Sequence, residues 1–174
     1  AGGIGLNIIQ AAALLSASVI IAVDLFDSRL ELAQQLGATH TINSSHEDTE
    51  ASIKDALAGQ ALDVFIDNTG VPAVIEQGYR LTHSQGRVIL VGVPHHGNNV
   101  SMHTLPLHFG KVLTGSHGGE SHPEQDIPRY LRLHQQGRLQ LDRLVSARYP
   151  LEQINTAIAR MRDGATAGRV MIDL

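Results

Sequence analysis

Gly2, Gly5 and Asp24 have the residue types and spacing to hold a phosphate and a sugar. In the turn G-x-G-x-x-G, the second glycine lets the backbone approach a pyrophosphate and the third lets a helix pack closely on a strand. Gly2 and Gly5 fit those two positions, and the first glycine of the pattern falls before Ala1. Gly2, Gly3, Ile4 and Gly5 then open a helix whose unpaired N–H groups and positive dipole end face the phosphates. Asp24 follows Gly5 by 24 − 5 = 19 residues and ends the apolar run Val19–Val23. An acidic residue about 20 positions on, at a strand end, accepts bonds from the adenosine ribose hydroxyls. A glycine cluster alone is a weak signal, and its plain alternative is a tight turn with a surface Asp. Turn, helix, strand and terminal Asp together specify a dinucleotide site. The carboxylate of Asp24 repels a 2′-phosphate and accepts from a free ribose, which selects NAD over NADP. Leu25 offers the phosphate no charge. Arg29, a helical turn away, either compensates or stacks near the adenosine.

The elements that position these residues follow from apolar periodicity. Ile4, Ile8, Ala12 and Leu15 recur at helical spacing and predict a helix from the glycine turn to about Ser16. Val19–Val23 is a buried strand, and a helix follows over 28–36. His40–Ile42 is a short strand and 48–58 a polar helix. Leu62–Asp67 is a strand broken by Asn68-Thr69-Gly70. A helix over 71–81 carries Pro72 in its first turn, where proline is tolerated. Strands are expected at 87–91, 112–114, 145–149 and 169–172, with helices at 123–136 and 151–162. The strands lack the in-out alternation of a half-exposed sheet. The expected fold is therefore α/β: a doubly wound parallel sheet of Rossmann type, with helices on both faces, in one dinucleotide-binding domain over 1–174. Its first strand, which belongs at the centre of the sheet, would precede Ala1. Either that strand exists outside this sequence, or another chain fills the slot, or the flanking strands close up; the first is favoured.

Composition narrows the class. The 174 residues are 43% hydrophobic but only 3% aromatic, so the core is aliphatic. A net charge of −4 argues against a nucleic-acid surface. No apolar run reaches membrane-span length, and no signal peptide is visible, so a cytoplasmic setting is expected. The chain has no cysteine, which excludes disulfides and thiolate zinc sites within it.

Seven short motifs in order carry a family resemblance: Ala1–Asn7, Ile20–Asp24, Leu36–His40, Asp67–Gly70, Val91–Val93, Gly118-Gly119 and Gly168–Val170. Together they resemble the coenzyme domain of the medium-chain zinc-dependent alcohol dehydrogenases over nearly the whole chain. The resemblance implies that Thr69 and Gly70 border the cofactor, and that the backbones of Val91, Val93 and His117 hold the nicotinamide carboxamide. It implies that Arg169 reaches the pyrophosphate and that Arg29 lies near the adenosine ribose. It also implies an N-terminal catalytic domain, absent here, which supplies the zinc ligands. Neither a catalytic residue nor a metal ligand is expected in this chain, which alone should bind NAD and turn over no alcohol or aldehyde. A homodimer or tetramer is expected, paired through the strand near Lys111–Ser116.

The histidines are read conservatively. His95-His96 lies in a Gly/Asn-rich loop and is a solvated pair, since adjacent residues seldom face one ion. His103 and His108 are packed or exposed, and His117 and His122 flank the double glycine. Two competing readings are a non-catalytic NAD-sensing module and a zinc-free quinone reductase-like member of the same superfamily. Sequence upstream of Ala1 distinguishes the first; the acid at Asp24 argues against the second.

Overall fold

Polar helices alternate with short apolar strands through the chain. A computed structural model describes residues 1–164 and 166–174. The elements are α1 (Gly3–Leu14), β1 (Ile21–Asp24), α2 (Asp27–Gln35), β2 (His40–Asn43), α3 (Thr49–Leu57), β3 (Leu62–Asp67) and α4 (Pro72–Leu81). Then come β4 (Thr82–Leu90), β5 (Val112–Gly115), α5 (Pro123–Gln135), β6 (Val145–Pro150), α6 (Ile154–Arg162) and β7 (Arg169–Asp173). Every ladder is parallel, which gives the expected α/β class. The ladders form three groups: β1-β2, β3-β4-β5 and β6-β7. The ladder partner of β1 is β2, and that of β3 is β4.

The chain divides into two compact units, one of Ala1–Ala56 with Pro123–Leu174 and one of Leu57–His122. In the first, Leu6 and Ile9 of α1 meet Ile20 and Ala22 and the α2 residues Leu30 and Ala33. Leu36, Ala38 and Leu144 complete this core. Leu6 is fully buried, worth about 1.5–3 kcal/mol for such a side chain. Thr39 closes the end of the β1-β2 ladder: its Oγ1 accepts from the Ile20 N–H at 2.8 Å and donates to the Ile20 carbonyl at 3.1 Å. Buried Gln10 of α1 accepts from the Gln140 N–H at 2.7 Å, tying α1 to the segment before β6.

In the second unit β4 lies between β3 and β5. Lys111 is buried and donates from Nζ to the carbonyls of Tyr79 at 2.5 Å and Thr82 at 2.7 Å. Its ammonium also sits 4.2 Å from the Tyr79 ring centre. The last turn of α4 is thereby fastened to the start of β5. Burial lowers the pKa of this amine below its ordinary 10.5.

Three expectations are corrected. β4 begins at Thr82, directly after α4, because Thr82 pairs with Leu62 before a register shift brings Arg87 opposite Val64. α6 begins at Ile154, since Leu151–Gln153 form a 3-10 turn. The strands are not uniformly buried. β6 and β7 alternate between exposed and covered residues, and Val64 of β3 is 47% exposed. Among the described residues each of those strands has a ladder partner on only one side.

Candidate functional site

The first unit gathers Gly2, Gly3, Ile4, Gly5, Asp24, Arg29 and Arg169. Gly2 is the N-cap of α1 and, having no side chain, leaves the first-turn N–H groups without a side-chain acceptor. Its extended φ of −73° aims the chain into the helix. Arg169, first residue of β7, lies over the same turn. A Cβ built on Gly3 would stand 2.7 Å from its Nε and 2.9 Å from its Cζ. Any side chain at position 3 would displace the guanidinium. Helix N-terminus and guanidinium thus present two positive features at one point, the arrangement that binds phosphate.

Asp24 sits at the end of β1 with its side chain 9% exposed. Its Oδ1 accepts from the backbone N–H of Leu25 at 2.8 Å and of Phe26 at 3.2 Å, and faces Arg29 Nη1 at 3.4 Å. Its Oδ2 faces the Ala1 amine at 2.8 Å. Burial raises the pKa of this carboxyl, but the Ala1 ammonium, Arg29 and the Phe26 N–H outweigh it and hold the group below the ordinary 3.8. A depressed carboxyl contributes stability above its unfolded pKa and loses it as pH falls through the folded value.

Arg29 Nε is buried, with no hydrogen-bond partner among the described residues. Sequence reasoning missed Phe26. Its ring carries the Arg29 guanidinium 4.6 Å above its centre and packs against Gly164. No local pattern signals that contact, because the partner lies far along the chain.

The second unit holds Thr69, Gly70, Val91, Val93 and His117. Asp67, 1% exposed, organises the turn after β3. Its Oδ1 accepts from the Thr69 N–H at 3.0 Å and the Thr69 hydroxyl at 2.6 Å, and its Oδ2 from the Gly70 N–H at 2.9 Å. The Asp67 carbonyl accepts from Val91 at 2.8 Å and Gly92 at 2.9 Å. A strand-terminal Asp before Asn68-Thr69-Gly70 was a readable signal for this role. Val91 is thus outside β4, held by main-chain bonds. Val91, Val93 and His117 line one cleft of about 680 Å³, with Gly92, Ser116 and Glu120 among its other walls. Val93 and His117 are exposed, and Thr69 and Gly70 are not among the lining residues. His95 and His96 are both exposed.

The first unit fits a dinucleotide: uncapped helix N–H groups and the Arg169 guanidinium suit a pyrophosphate, and an acid at a strand end suits a sugar hydroxyl. Zinc is a different case. The chain has no cysteine, and among the described residues no three His, Asp or Glu side chains converge to hold a metal ion.

A family profile described as zinc-binding dehydrogenase matches residues 3–136. The NDMA-dependent alcohol dehydrogenase of Amycolatopsis methanolica is 34% identical over 168 residues, covering 94% of this chain and 45% of that protein. Benzyl alcohol dehydrogenase from Acinetobacter calcoaceticus superposes with a TM-score of 0.89 at 38% identity, over 99% of this chain and 48% of that one. A zinc-binding dehydrogenase from Sinorhizobium meliloti 1021, solved bound to NADP, gives 0.81 at 28% identity, over 99% of this chain and 50% of that one. The chain spans about half the length of the curated relatives it matches. With the parallel α/β fold, the glycine turn and these matches in place, the chain belongs to the zinc-binding dehydrogenase family, as an alcohol dehydrogenase-family oxidoreductase domain.

Proposed function

We propose that residues 1–174 are the NAD-binding domain of a cytoplasmic, zinc-dependent alcohol dehydrogenase-like enzyme that moves hydride between an alcohol and NAD. The observation that carries this reading is Arg169 lying over Gly3 at an uncapped helix start. Asp24, at the end of the neighbouring strand, would take the adenosine ribose, with Arg29 beside it. The N–H groups of Gly3, Ile4 and Gly5, with Arg169, would take the pyrophosphate. In the second unit, main-chain groups of Val91, Val93 and His117 would hold the carboxamide, while the Thr69-Gly70 turn supports that loop through Asp67. When bound, NAD supplies the hydride-accepting ring. Zinc and its ligands would belong to a separate catalytic domain, so no step is derived through the metal. Calorimetric titration of the chain with NAD should give saturable binding, and assays with alcohols and zinc should give no turnover. Absence of NAD binding refutes the cofactor assignment, and turnover refutes the division of labour.

The reading includes a homodimer or tetramer. Among the described residues β5 is paired to β4 on one side only, and an apolar edge of that kind invites pairing with a twin about a two-fold axis. The other outcome is an edge covered by its own loop. Leu113→Pro should shift sedimentation towards monomer with the fold retained; an unchanged oligomer removes β5 from the interface.

A further inference from the structure

Gly164, after α6, and Gly168, before β7, admit no side chain. Gly164 holds φ +70°, and a Cβ there would overlap the Phe26 ring. Gly168 holds φ +79°, and a Cβ there would overlap the carbonyl of Leu144, a member of the core. Arg169 follows immediately and reaches back over Gly3. The Phe26 ring that meets Gly164 also stacks under Arg29, whose Nη1 faces Asp24. One aromatic ring therefore touches the arginine beside the ribose-type acid and Gly164, a few positions before the phosphate-type arginine.

We propose that Phe26 is a positioning residue: by packing on Gly164 it restrains the approach of Arg169 to the glycine loop, and so couples sugar recognition to pyrophosphate recognition. The proposal rests on the NAD-binding reading. Glycine loses more backbone freedom on ordering than any other residue. Without the ring, Gly164 is less restrained, and that freedom must be lost again when Arg169 engages an anion. The loss falls on ligands that carry the pyrophosphate and spares the nucleoside alone.

The test is an NMR titration of the chain with ADP-ribose and with adenosine, in the unmodified protein, Phe26→Ala, Arg169→Gln and the double variant. Phe26→Ala should weaken ADP-ribose about tenfold, the weight of a hydrogen bond to a charged group, and adenosine less than about threefold. In the Arg169→Gln background Phe26→Ala should add almost nothing, because the two residues act as one unit. Phe26→Tyr should restore binding, and Phe26→Leu serves where the alanine variant unfolds. Equal losses for both ligands, or a full tenfold loss added on top of Arg169→Gln, overturn the coupling. If the unmodified chain binds neither ligand, the cofactor reading falls and the coupling with it. If it binds both and the cycle is additive, only the coupling falls.

Discussion

Asp24→Gly should turn a chain that prefers NAD into one that accepts or prefers NADP. A hydrogen bond to a charged group is worth about 1.5–3 kcal/mol, so losing the carboxylate should weaken NAD roughly ten- to hundredfold. The same change helps NADP in two ways. It removes a negative charge facing the 2′-phosphate; two unit charges 4 Å apart repel by about 4 kcal/mol at an effective dielectric of 20. It also frees Arg29, whose Nη1 lies 3.4 Å from Asp24 Oδ1, to pair with that phosphate. The NADP gain should then disappear in Asp24→Gly combined with Arg29→Ala. Paired dissociation constants for NAD and NADP decide the matter. An unmodified chain that already binds NADP more tightly would falsify the assignment of Asp24 as the discriminating group.

The largest stability effect is expected at Gly92. A Cβ there would fall 2.5 Å from the Asn68 carbonyl carbon and 2.5 Å from the Thr69 nitrogen, with the Gly70 nitrogen also in overlap. All three are main-chain atoms, so no flexible side chain can move aside. Relief requires the 68–70 turn to separate from the loop after β4. That separation strains the bonds from Val91 and Gly92 to the Asp67 carbonyl. Overpacking costs about 1–3 kcal/mol and each lost hydrogen bond about another 1, so Gly92→Ala should destabilise by at least about 3 kcal/mol. A urea midpoint measures it. Gly2→Ala is the control, because nothing lies within 4 Å of a Cβ there. If both variants unfold at the same urea concentration, the two loops are not interlocked as described.

Legibility in the sequence followed the range of the interaction. The helix start at Gly3, the strand ending at Asp24 and the strand Leu62–Asp67 are set by local glycine, apolar runs and a terminal acid, and they fall close to where those signals put them. The early start of β4 was hidden because His83, Ser84 and Gln85 form an unremarkable polar stretch; only the register against Leu62 draws them into a strand. The Asp24–Arg29 proximity was readable as one helical turn. The Phe26–Gly164 contact was not, since it joins residues 138 positions apart (164 − 26), and neither carries a motif. Asp67 is intermediate: its capping geometry is local, but its near-total burial depends on the 91–93 loop folding back onto its carbonyl.

The first unit is built from the two ends of the chain, Ala1–Ala56 and Pro123–Leu174, whereas the second is one uninterrupted stretch. This sets an order of events during synthesis. Translation proceeds at about 5–20 residues per second, and segments that are complete can fold as they emerge. Leu57–His122 has its whole three-stranded ladder once residue 122 is out. Ala1–Ala56 emerges earlier but lacks Leu144 for its core, the Gln140 amide for Gln10, and Arg169 over its glycine turn. Residues 1–56 therefore mature only after segments far downstream of them have been made. Until residue 144 has emerged, Leu6 and Ile9 lack one wall of the core they share.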